Sequence, residues 1–196
     1  MPVSDPAARP VPSMTVRIVR PIAHAWLRAG GWTVVGEMPD VPKFVIVAAP
    51  HKTNWDLPNA LAVGFHYGLR IHWMGKESLF KWPFGGFMRW LGGISVDRSK
   101  KSNAVQQAVD AFASAEQLVI VIPPEGTRSD VDRWKSGFYF IAHGANVPIA
   151  LAFIDYANRR TGVAGVFQTT GDYEADLARI HAVYAPFMPK RAAAAA

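Results

Sequence analysis

The chain has 196 residues, half of them hydrophobic, and a formal net charge of +6. That length suffices for one domain with a proper core, and the apolar content excludes a chain disordered throughout. The absence of cysteine excludes disulfides, thiolate catalysis and cysteine zinc sites, and the positive charge favours anionic partners such as nucleic acid, anionic lipid or phosphorylated small molecules.

Residues 1–13 are rich in proline and alanine and read as a disordered tail with no apolar secretory region. From 14 to 29, Arg17, Arg20, His24 and Arg28 recur at helical spacing among Val16, Ile18, Val19, Ile22, Trp26 and Leu27. This predicts a basic amphipathic helix, kinked or restarted at Pro21. Two placements fit it: in a membrane interface, or on the domain with the arginines in solvent. No apolar run approaches the roughly 20 residues of a membrane span. The expected location is therefore cytoplasmic, and the interface placement of the helix would make it peripheral on the inner face of the membrane.

Gly30-Gly31 ends this helix, and 32–36 reads as a short strand. Pro39 and Pro42 mark a turn before an apolar strand at 44–48, which Pro50 terminates. A helix at 57–69 and a strand at 71–74 follow. Residues 78–91 read as two short helical pieces broken at Pro83 and Gly85-Gly86. The nearby aromatic cluster of Trp73, Trp82, Trp90, Phe80, Phe84 and Phe87 could line an acyl tunnel or touch lipid, but core packing is the expectation for most of it. Then come a turn and strand at 92–98, a helix at 103–115 capped by Ser102, and a buried strand at 118–122. A helix at 135–145, strands at 147–154 and 163–169, and a helix at 173–184 complete the pattern. Strands alternate with helices, and several strands are continuous apolar runs. The fold class is α/β, a mainly parallel twisted sheet flanked by helices in a single domain, with an N-terminal amphipathic helix. The boundaries are a tail at 1–13, the basic helix at 14–30, the domain at 31–190 and a tail at 191–196.

Charged turns follow three of these strands: His51-Lys52-Thr53-Asn54-Trp55-Asp56, Asp97-Arg98 and Glu125-Gly126-Thr127-Arg128. Parallel strands would gather them on one edge. Five residues apart, His51 and Asp56 would lie about 140° apart on a helix, so only a turn can pair them. So paired, Asp56 would hold the imidazole and leave its other nitrogen free to accept a proton. The competing reading makes Asp56 a helix cap and His51 an ordinary loop residue. Arg98 and Arg128 have the planar fork of an anion anchor, against the reading of each as a solvated surface charge, and Gly126 lets backbone approach a ligand. His51, Asp56, Glu125 and His143 match no standard metal-ligand spacing. His24, His66, His72, His143 and His181 read as structural or surface residues. The basic residues are too scattered for a nucleic-acid face.

His51-x-x-x-x-Asp56 with Pro124-Glu125-Gly126-Thr127-Arg128 resembles the glycerolipid acyltransferases, the group of lysophosphatidate and glycerol-3-phosphate acyltransferases. Gly92-Gly93-Ile94-Ser95-Val96-Asp97-Arg98 and Val147-Pro148-Ile149, a proline inside a hydrophobic strand, are similar to that family's second and fourth blocks. The resemblance implies an O-acyltransferase that moves an acyl chain from acyl-CoA or acyl carrier protein to a lysophospholipid hydroxyl, with 1-acylglycerol-3-phosphate the default acceptor. It implies His51 as general base and Asp56 as its orienting partner. It also implies Arg98, Glu125, Gly126, Thr127 and Arg128 as the acceptor and phosphate site; Lys76 resembles a lysine that helps with the anion in some members, against the reading of a surface lysine. Expected partners are the acyl donor, the lysophospholipid and an anionic membrane surface, without nucleic acid, metal or a resident cofactor. The chain departs from the family pattern at Pro123, where an aromatic is usual, and in carrying a single basic amphipathic stretch before the core. A thioesterase using the same pair on water, or a non-catalytic lipid- or phosphate-binding protein, would use the same residues differently.

Overall fold

The structure, a computed structural model, describes residues 13–50, 53, 55–96, 103–126 and 134–187. Seven strands form one sheet: β1 (Thr33–Val35), β2 (Lys43–Ala49), β3 (His72–Lys76), β4 (Gly93–Val96), β5 (Leu118–Ile122), β6 (Ile149–Asp155) and β7 (Arg160–Phe167). Their order is β1-β7-β6-β2-β5-β3-β4. Every neighbouring pair is parallel except β6 with β7. The α/β class with a mainly parallel sheet is therefore borne out, with one antiparallel return.

Alternation along β2 sends Val45, Val47 and Ala49 into one apolar cluster and Phe44 and Ile46 into the other. Leu118 and Ile120 of β5 join the first cluster, Val119 and Val121 the second. Both faces are covered, which is why these strands are apolar without interruption. Helices α4 (Asn103–Ser114), α5 (Gly137–Gly144) and α6 (Tyr173–Tyr184) cover the Val45 face, and α2 (Asp56–His66) the Phe44 face. On that second side α1 (Met14–Ala29) packs Ala23 and Leu27 against Ala62 and Val63 of α2. A 3-10 turn (Glu77–Phe80) and α3 (Gly85–Trp90) complete it.

Several boundaries differ from the sequence expectation. The helix α1 runs through Pro21 without restarting. The second helix ends at His66 rather than 69. Gly85 and Gly86 begin α3 rather than interrupt a helix, because a side chain at Gly85 would strike the Phe80 carbonyl. Pro148 precedes β6, which starts at Ile149; its carbonyl accepts the Val45 N–H at 3.0 Å. The last strand starts at Arg160, three residues early, since it returns directly from β6 through a tight turn. In that turn the Asp155 carboxylate accepts the Asn158 backbone and side-chain N–H groups at 3.1 and 2.7 Å.

The aromatic cluster also needs correction. Trp73 and Phe80 are buried, but Trp82 is 93% exposed, and Phe84, Phe87 and Trp90 also lie largely in solvent. A six-residue helix beside a 3-10 turn has too little inner surface to cover them. Ser102, the expected cap of α4, and the tails 1–12 and 191–196 lie outside the described residues.

Candidate active site

The strands β2, β3, β4, β5 and β6 run in one direction, so their carboxyl ends share an edge. β2 and β5 are neighbours, yet β2 leads into α2 on one face and β5 leads towards α5 on the other. Adjacent strands whose helices diverge leave a crevice between their ends, the usual ligand position in open α/β sheets. A cleft of about 1210 Å³ opens there. Thr53 and Asp56 after β2, and Pro123, Gly126 and Lys135 beyond β5, are among its lining residues.

Asp56 is the first residue of α2 and is buried. It is not the N-cap; Trp55 holds that position without a side-chain bond. The Asp56 carboxylate turns back to accept the Thr53 backbone N–H at 2.8 Å and the Thr53 hydroxyl at 2.9 Å. The Tyr156 hydroxyl donates to its Oδ1 at 2.6 Å. An ionised carboxylate only accepts, and the helix N-terminus favours its charge. These bonds fix the Asp56 carboxylate at the carboxyl edge of the sheet. His51, Arg98, Thr127 and Arg128 lie outside the described residues.

Of the remaining expected site residues, Glu125 and Gly126 form the turn immediately after β5. Glu125 is buried, and burial of Tyr184 first, with the Glu125 charge second, pushes the Tyr184 phenol well above its ordinary range. The Tyr184 hydroxyl points at the carbonyls of Val47 and Ala152, at 2.7 and 2.9 Å, and so supports the ends of β2 and β6. Gly126 has φ +63°, and a Cβ there would lie 2.6 Å from Lys135 Nζ. The positive φ is what favours glycine, since the flexible end of the lysine side chain could move aside. Lys76 is the last residue of β3, on the same edge as Asp56 and Glu125.

The sequence reading missed Tyr156, Asn59 and Lys135. Tyr156 follows β6, at the same carboxyl edge, so strand polarity alone could have marked it. Burial first, and the Asp56 hydrogen bond second, push its phenol up, so it stays protonated and donates. Asn59 lies one turn along α2 from Asp56, buried on the same face. Lys135 closes the Pro124-Glu125-Gly126 turn by donating its N–H to the Pro124 carbonyl at 2.8 Å, and lays its side chain across Gly126. It adds an ammonium group to the cleft. His143 faces Thr169 at 3.1 Å and stacks on Tyr139, as a structural residue does. Among the described residues no group of three or more His, Asp or Glu side chains could hold a metal ion.

A family model described as acyltransferase matches residues 33–153, more than half of the chain. The fold is similar to the crystal structure of the 1-acyl-sn-glycerophosphate (LPA) acyltransferase PlsC from Thermotoga maritima. The TM-score is 0.61 at 17% sequence identity, covering 88% of this chain and 76% of that one. At that identity the likeness is one of fold. No curated protein matches the chain. The match across β1 to β6, on an edge that carries Asp56 and the Glu125-Gly126 turn, agrees with the resemblance its motifs carry: the chain belongs to the acyltransferase family.

Proposed function

We propose that this acyltransferase moves an acyl chain from acyl-CoA or acyl carrier protein to the free hydroxyl of a lysophospholipid, with 1-acylglycerol-3-phosphate as the preferred acceptor. His51 takes the acceptor's hydroxyl proton, and Asp56 orients its imidazole. The oxygen attacks the thioester carbonyl, the C–S bond breaks, and the departing sulfur recovers the proton from the imidazolium. A histidine of ordinary pKa, about 6.5, is mostly neutral at cytoplasmic pH and is ready as a base. No acyl-enzyme is needed, and the chain has neither cysteine nor a Gly-x-Ser-x-Gly elbow. The observation that carries this reading is Asp56: a buried carboxylate held by hydroxyl and amide donors at the mouth of a cleft large enough for a lipid chain. Arg98, Arg128 and Lys135, with Glu125, Gly126 and Thr127, bind the acceptor and its phosphate; Lys76 is a further cation on that edge.

The reaction takes place at a membrane surface in this reading, on the inner, cytoplasmic face. Among the described residues no helix is long and apolar enough to cross a membrane. Instead α1 leaves Met14, Ile18, Ile22 and Trp26 exposed at four-residue spacing beside exposed Arg17, Arg20 and Arg28. That pairing of apolar and basic stripes suits an anionic interface. Leu79, Trp82, Phe84, Phe87 and Trp90 are exposed on the same side of the sheet.

The test is free-thiol release from a long-chain acyl-CoA with and without lysophosphatidate. Release that requires the acceptor, with phosphatidate as product, is the expected result. Release without acceptor would point to a thioesterase acting on water and would overturn the proposal.

A further inference from the structure

Asp56 is held from two directions. Thr53 supplies donors from its own turn, whereas Tyr156 reaches it from the β6–β7 turn, 100 residues away in sequence. The donor roles on that second side are fixed by chemistry. The Trp26 indole N–H can only donate, and it reaches Asn59 Oδ1 at 3.0 Å. The Asn59 amide is thereby oriented, and its Nδ2 donates to the Tyr156 oxygen at 3.2 Å. Tyr156 then has one proton to give, and the 2.6 Å contact with Asp56 Oδ1 takes it. Thr53 Oγ1 stands 3.3 Å from the Tyr156 oxygen, but its own proton also goes to Asp56. The ring of Tyr156 is fixed in turn by an edge-to-face contact with Trp32, centroids 5.3 Å apart.

We infer that Tyr156 is a positioning residue for the acyl-transfer reaction: it fixes the carboxylate of Asp56, and Asn59, anchored by Trp26, fixes Tyr156. Every link in the chain from indole to carboxylate donates toward Asp56, so the links polarise one another in the same sense. Asn59 and Asp56 are buried, which limits competition from solvent for the bonds they make. The chain begins on α1, at a tryptophan that also stacks on Trp55 of the motif turn, so the N-terminal helix is tied to the site by direct contacts. Sequence spacing cannot show this, since the participants come from α1, α2 and the β6–β7 turn.

The inference rests on the proposed roles of His51 and Asp56, and Tyr156→Phe tests it. This variant keeps the ring packing and removes only the hydroxyl. Acceptor-dependent thiol release should then show kcat lower by about tenfold or more, the size of a lost hydrogen bond to a charged group. The KM of lysophosphatidate and the melting temperature should remain near wild type. Trp26→Phe, two links further away, should lower kcat in the same sense by less. Wild-type kcat in Tyr156→Phe would overturn the role of Tyr156, as would a loss confined to KM or explained by lower stability. Failure of the wild-type protein to release thiol with any acceptor would overturn the acyl-transfer reading and this inference with it.

Discussion

Asp56 illustrates how a motif residue acquires its role from its surroundings. The side chain could have capped α2, as aspartates commonly do, but it turns back onto Thr53 and meets Tyr156 from across the sheet. The His51-x-x-x-x-Asp56 spacing and the Pro124–Arg128 block were readable because both lie in short contiguous segments. Tyr156 and Lys135 were not, because a single tyrosine after a strand or a lysine before a helix has no spacing signature until the fold supplies neighbours. Lys135 bears on the acceptor: its ammonium group lies against Gly126 in the cleft. In Lys135→Ala we expect the KM for lysophosphatidate to rise roughly five- to tenfold, corresponding to about 1 kcal/mol for an exposed ion pair, with kcat little changed. Steady-state titration of the acceptor checks this. An unchanged KM would remove Lys135 from the phosphate site.

The strands that build the sheet were the most legible elements, since β2, β5 and β6 are apolar runs buried on both faces. The β6–β7 return was less so. Its turn is only four residues, and an Asx hydrogen-bond pattern, not glycine or proline, makes it. The N-terminal helix shows how one pattern can serve two surfaces. Val16, Ala23 and Leu27 are buried, while Ile18 and Ile22 are 64% and 66% exposed. The two placements considered for a basic amphipathic helix are thus compatible. Deleting α1 would strip the Ala23–Leu27 contact with α2, so surface substitutions are the cleaner test. Replacing Ile18 and Ile22 by glutamine removes about 1–2 kcal/mol of interfacial transfer energy for each residue. Binding to vesicles containing phosphatidylglycerol should fall by about tenfold or more without loss of melting temperature. Unchanged co-sedimentation would dismiss the interfacial role of α1.

The assembled domain places its polar edge on one end of an otherwise apolar sheet, and its pH response follows from histidines placed elsewhere. Burial lowers His66, His72 and His181 below the ordinary 6.5, with His24 and Arg20 adding to the effect at His66 and Arg70 at His72. Each is favoured neutral in the fold. The unfolded chain then binds more protons below pH 6.5, and stability must fall as the pH drops from there toward the lowered folded values. Asp155, held by Asn158, and Asp176, held by Thr170 and Tyr139, have carboxyls below the ordinary 3.8; their contribution persists until far stronger acid. The melting temperature should therefore be lower at pH 5.5 than at pH 7.5. An equal or higher value at pH 5.5 would contradict these shifts. The proposed mechanism has Asp56, at the sheet edge, serve a general base at position 51. It is tested most directly by acceptor-dependent thiol release from a long-chain acyl-CoA, comparing wild type with a natively folded His51→Ala variant. Release by the wild type that requires lysophosphatidate and is abolished in His51→Ala is the predicted result. Wild-type rates in that variant would contradict the assignment of the base.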